Sequence, residues 1–71
     1  MQVIENKRTT KELIIYLKSS TKESYWANQW DRVEIDNNYI IVTLSEECGI
    51  DKEIFPKEEI TKIQIWEQNK Q

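Results

Sequence analysis

Trp30-Asp31-Arg32-Val33-Glu34-Ile35-Asp36-Asn37-Asn38-Tyr39-Ile40-Ile41-Val42-Thr43-Leu44 is the stretch on which the fold is decided. Apolar and polar residues alternate on both sides of Asn37-Asn38, as they do in two half-buried strands joined by a tight turn. A two-residue loop pairs Ile35 with Ile40 and Val33 with Val42, so these four share one face. The other face receives Asp36 with Tyr39, Glu34 with Ile41, and Arg32 with Thr43. Alternation and turn length agree on this register, and a slip of one residue would scramble both faces. Asn37 and Asn38 are expected at positive φ, which Asn tolerates. Ile35 and Val42 are expected in the core.

Downstream, Glu53-Ile54-Phe55 reads as a short strand and Pro56-Lys57-Glu58-Glu59 as a single helical turn. Pro suits the first position of such a turn, and Glu58 and Glu59 suit its N-terminal dipole. Phe55 and Ile60 bracket the turn. Ile60 to Trp66 then forms a strand in which Ile63 and Ile65 point inward and Lys62, Gln64 and Trp66 outward. Upstream, Leu13, Ile15 and Leu17 alternate with Ile14, Tyr16 and Lys18, which favours a strand. The capping-box spacing of Thr9-Thr10-Lys11-Glu12 competes for a helix start, but the β-branched pair Ile14-Ile15 argues against one. Ser20-Thr21-Lys22-Glu23 repeats that spacing, so Tyr25, Trp26 and Trp30 would line a short helix, a loop or a bent strand. Met1 to Glu5 is a candidate edge strand.

The chain has 71 residues, is 38% hydrophobic and 32% charged, and carries a net charge of −3. One small domain spanning residues 1–71 is all it can build, and packing supplies so small a core with only about 3–5 kcal/mol. The fold class is mainly β: a small antiparallel SH3-like or partly open β-barrel with one or two short helical turns. Ile alone contributes 11 residues, and Gly and Pro one each, so Asn, Asp and Ser make the turns. Phe, Tyr, Met, Ile, Asn and Lys total 29 residues against five for Gly, Ala, Arg and Pro. This skew follows AT-rich codons and points to a bacterial phage or mobile element. No apolar run nears the roughly 20 residues of a membrane span. Gln2 to Glu5 has neither the charged nor the apolar region of a signal peptide. Cys48 has no internal disulfide partner. Together these read as a cytoplasmic protein.

Chemistry is excluded residue by residue. Without His the chain lacks the commonest general base and metal ligand, and one Cys without His builds no structural zinc site. One Gly makes no phosphate-binding loop. Adjacent carboxylates such as Glu46-Glu47 and Glu58-Glu59 point to opposite faces of a strand and do not converge. Cys48-Gly49 lacks calcium-loop spacing and reads as a hairpin connection. No cofactor, metal or catalytic residue is expected, and the chain is read as a non-enzyme.

Binding is left, in two forms. Residues 1–24 carry a net +2 and residues 25–71 a net −5. The anions Glu46, Glu47, Asp51, Glu58 and Glu59 would form an acidic face able to mimic nucleic acid on a partner. The outward-facing Tyr39, Ile41 and Trp66 would form an apolar patch rimmed by Arg32, Glu34, Lys62 and Gln64, the look of a protein interface, unless the N-terminal segment covers it. The first reading is therefore a small protein-binding module that inhibits or regulates a bacterial partner protein, or self-associates. The alternative is a nucleic-acid-binding β-barrel that uses Trp and Tyr platforms, although the acidic balance has the wrong sign for phosphate-driven affinity.

Overall fold

The computed structural model describes residues 1–7, 10–45 and 52–67. Among these residues seven strands follow one another: β1 (Gln2–Glu5), β2 (Lys11–Leu17), β3 (Lys22–Tyr25), β4 (Trp30–Ile35), β5 (Tyr39–Leu44), β6 (Lys52–Pro56) and β7 (Ile60–Glu67). A 3₁₀ turn, Lys57–Glu59, links β6 to β7. They form two antiparallel sheets, one of order β1-β4-β5-β6 and one of order β3-β2-β7, and no closed barrel.

The central hairpin has the expected register, with Ile35 opposite Ile40, Glu34 opposite Ile41, Val33 opposite Val42 and Arg32 opposite Thr43. An irregularity between Trp30 and Arg32 turns Trp30 inward opposite Leu44. The turn differs from expectation, because neither Asn37 nor Asn38 has positive φ. Asp36 does the work instead: its Oδ1 accepts the N–H of Asn38 at 2.9 Å and of Tyr39 at 2.8 Å. Its own N–H donates to the Tyr39 carbonyl at 3.1 Å. An Asp side chain that imitates the missing backbone acceptor allows ordinary negative φ at both Asn residues. Positive φ occurs at Ser20 instead, at 73°, in the turn between β2 and β3. Lys11 and Glu12 of the first capping-box spacing fall on β2, Lys22 and Glu23 of the second on β3, and Thr9 lies outside the described residues. Cross-strand pairing along β2 outweighs a local helix start.

The core is one cluster drawn from both sheets: Leu13, Ile15, Tyr25, Trp30, Val33, Ile40, Val42 and Leu44. Ile35 and Ile63 pack against it but stay half-buried, short of expectation. Ile35 ends its strand beside the exposed Gln2, and Ile63 lies on β7, which pairs only with β2. Trp26 and Trp30 have opposite fates. Trp30 is fully buried and its Nε1 donates to the Lys11 carbonyl at 2.7 Å, whereas Trp26 is exposed, so no helix aligns the two indoles.

Asn6 is the buried polar residue among those described. Its N–H donates to the Asp31 carbonyl at 2.8 Å. Its Nδ2 donates to the carbonyls of Ala27 at 2.8 Å and Trp30 at 3.0 Å, and its Oδ1 accepts the Lys11 N–H at 3.0 Å. The carboxamide thereby fixes where the chain leaves one sheet for the other.

Candidate interaction surface

Alternation carries Ile40, Val42 and Val33 into the core and leaves their neighbours on the outer face of the four-stranded sheet. One row across it runs Val3, Glu34, Ile41 and Ile54, each directly opposite the next. Beside that row Tyr39 lies opposite Pro56, and on the other side Glu5, Arg32, Thr43 and Lys52 complete the face. Ile54 is 59% exposed, Tyr39 49% and Val3 46%. An Arg32–Glu34 ion pair at 3.1 Å lies on this face, with Glu34 standing between Val3 and Ile41. At Tyr39 the face borders an open hollow of about 460 Å³ lined by Asn37, Asn38, Tyr39, Pro56 and Glu58. The Lys57 N–H donates to the Asn38 carbonyl at 2.9 Å and locks the two turns that wall this hollow.

The structure brings part of the expected patch onto one face. Tyr39 and Ile41 share a face, and Glu58 comes beside Tyr39 across the hollow. Trp66 does not join them. It lies on β7 in the other sheet, opposite Glu12, with Lys62 and Gln64 on that same face. The patch could not be assembled correctly because alternation assigns a side to each strand but does not say which strands adjoin. Val3 and Ile54 take the place of Trp66. Their outward positions follow from the same alternation once β1 is paired with β4 and β6 with β5. The N-terminal strand does not cover this face but extends it, by pairing with the free side of β4.

Glu59 lies on the 3₁₀ turn away from Tyr39, and its carbonyl accepts the Lys18 N–H at 2.9 Å. Glu46, Glu47, Asp51 and Cys48 lie outside the described residues, so the expected acidic face is represented only by Glu58 and Glu59. Among the described residues no three or more metal-capable side chains cluster, and no helix is long and apolar enough to cross a membrane. One carboxylate is drawn inward: Glu53 Oε1 accepts the hydroxyl of the buried Tyr25. Burial first, then that hydrogen bond and the charges of Glu53 and Glu23, push the Tyr25 phenol well above the ordinary tyrosine range. No protein-family model, curated protein or solved structure matches this chain.

Proposed function

We propose that this chain is a non-enzymatic protein-binding module, of phage or mobile-element origin, that docks on a bacterial cytoplasmic protein through the outer face of its four-stranded sheet. The observation that carries this reading is the apolar group Ile41, Ile54 and Tyr39, flanked on one side by the Arg32–Glu34 ion pair and on the other by a hollow. Monomeric proteins rarely leave contiguous apolar surface bare unless it serves an interaction. Interfaces concentrate binding energy in a few central apolar and aromatic anchors. The SH3-like assignment belongs to the same proposal. It rests on the β4-β5-β6 meander, the 3₁₀ turn that follows it, and the return of β7 to pair with β2. Fold alone does not choose the partner.

The test uses Tyr39→Ser and Ile54→Lys. Both side chains are about half exposed, so each change should move stability by under about 0.5 kcal/mol. Self-association in sedimentation, or a bacterial protein retained on the immobilised chain, should weaken at least tenfold in the double variant. Retention that is equal for wild type and double variant would refute this face as the docking surface.

A further inference from the structure

β7 ends one side of the three-stranded sheet, and among the described residues it pairs with β2 alone. The direction of its remaining backbone groups follows from the hydrogen bonds of β2. The Leu17 N–H donates to the Thr21 carbonyl at 2.9 Å, in the turn that leads into β3. The Lys18 N–H donates to the Glu59 carbonyl at 2.9 Å, just before β7. At the other end of β2, Lys11 gives its N–H to Asn6 Oδ1 at 3.0 Å and its carbonyl to Trp30 Nε1 at 2.7 Å, neither of them on β7. A strand turns its backbone groups to alternate sides at successive residues. The odd-numbered residues of β2 therefore bond on the β3 side and the even-numbered ones on the β7 side. Glu12, Ile14 and Tyr16 lie opposite Trp66, Gln64 and Lys62, so these three residues of β7 are engaged with β2. Ile63 and Ile65 direct their N–H and C=O groups out of the sheet edge, and their side chains pack on the core yet stay half-buried. The other sheet edges are shorter: β1 and β3 have four residues each, and β6 has five and ends in Pro56. β7 has eight residues and contains neither Gly nor Pro.

We propose that this edge is a dimer interface, in which β7 of a second copy of the chain pairs antiparallel with it across a two-fold axis at Gln64. An axis perpendicular to the sheet keeps both cores on one side and brings odd-numbered residues opposite odd-numbered ones. Ile63 then lies opposite Ile65 of the second copy, and each such pair exchanges both of its N–H···O=C bonds. The outward groups of one edge meet those of the other, and isoleucine covers isoleucine along the half-buried row. On the outer face Gln64 meets Gln64, and Lys62, whose Nζ lies 4.8 Å from the centroid of the Tyr16 ring, comes opposite the exposed Trp66. No like charges face each other, which such pairing requires. An axis at Ile65 would set Ile63 against the Glu67 carboxylate. One at Ile63 would carry the pairing into Thr61, where β7 bulges because Tyr16 pairs with Lys62 and Leu17 with Ile60. The segment Lys62 to Trp66 is thus complementary to itself about its own centre, as a two-fold interface demands, and this selects a second copy over an unrelated strand. An unpaired edge without Pro is a ready template for such pairing. The interface is independent of the outer face of the four-stranded sheet.

Amide hydrogen exchange of the whole chain, in a dilution series that reaches about 1 mM, reads the pairing residue by residue. The amides of Lys62, Gln64 and Trp66 should be protected throughout, because β2 holds them. Those of Ile63 and Ile65 should gain about tenfold protection or more as concentration rises, in step with dimer mass in sedimentation. Gln64→Glu keeps an acceptor for the Tyr16 hydroxyl, which donates to Gln64 Oε1 at 2.8 Å, but brings two carboxylates together at the axis. It should weaken the dimer about tenfold or more at low salt, with melting unchanged, and added salt should restore it. Gln64→Lys alone should weaken the dimer likewise, and an equal mixture of the two variants should re-form it. If Gln64→Lys melts early for want of the Tyr16 bond, the salt dependence of Gln64→Glu carries the test. Tyr39→Ser with Ile54→Lys, on the other sheet, should leave the protection of Ile63 and Ile65 unchanged, so failure of the docking face and failure of this edge are told apart. Three results would overturn the proposal: a monomer at about 1 mM, protection of Ile63 and Ile65 that does not follow concentration, or a Gln64→Glu dimer as tight as wild type.

Discussion

At the scale of single residues, Asn6 and Tyr25 place polar atoms where so small a core can least spare them. Asn6→Ala removes two donors and one acceptor at once and leaves the Lys11 N–H without its partner. Each buried group stranded in this way costs about 1–3 kcal/mol, so the variant should lose about 2–4 kcal/mol in urea titration. A loss below about 0.5 kcal/mol would mean that water replaces the carboxamide at no cost. Asn6→Asp should be worse, because it aims an acceptor at the carbonyls of Ala27 and Trp30. Nothing in the stretch Glu5-Asn6-Lys7 marks Asn6 as buried, since its burial depends on carbonyls more than 20 residues away. The burial of Trp30 and Tyr25, by contrast, is what large aromatic side chains ordinarily do in a small core. For Tyr25 the folded pKa is raised above the unfolded value. Its contribution to stability is therefore intact below about pH 10 and is lost as pH rises beyond that ordinary tyrosine value. Tyr25→Phe should cost about 1 kcal/mol at neutral pH but flatten the loss of stability above pH 10. Alkaline melts of equal slope for variant and wild type would refute this assignment.

Elements were legible where their pairing is local. The β4–β5 register could be read because both strands and their turn lie within 15 residues and every pair checks the next. The strand, 3₁₀ turn and strand from Lys52 to Glu67 could be read from Pro56 and the flanking alternation. The pairings of β1 with β4 and of β2 with β7 could not. They join segments that share no turn, and any exposed strand edge offers the same hydrogen bonds. This is also why Trp66 was assigned to the wrong patch. Turn chemistry was misread in one respect, since Asp36 rather than Asn37-Asn38 sets the hairpin, and the stability effects of glycine follow from that. Asn38→Gly should destabilise by about 0.5–1 kcal/mol, because at negative φ glycine only adds freedom to the unfolded chain. Ser20→Gly should instead be neutral or stabilising, by up to about 1 kcal/mol, because Ser20 holds the left-handed conformation that glycine adopts without steric cost. Urea titrations of the two variants should move in opposite directions, and a parallel loss would restore the positive-φ turn at Asn38.

On the scale of the whole molecule, two sheets that share no hydrogen-bonded strand pair among the described residues are held together by one core. Neither sheet has a core of its own: Leu13, Ile15 and Tyr25 come from one, Trp30, Val33, Ile40, Val42 and Leu44 from the other, and all eight form a single cluster. Apolar surface buried between the sheets is counted once and stabilises both, so unfolding should be all-or-none, as small domains usually show. Ile15 is the sharpest probe because it is fully buried in the centre of the smaller sheet. Ile15→Ala would cost about 2–5 kcal/mol, close to all that the domain has, whereas Ile15→Val should cost about 1 kcal/mol and leave the fold intact. If the core is shared, hydrogen exchange on Ile15→Val should show the amides of Val33 and Val42 losing as much protection as those of Leu13 and Gln64. A loss confined to β2, β3 and β7 would show that the sheets open separately.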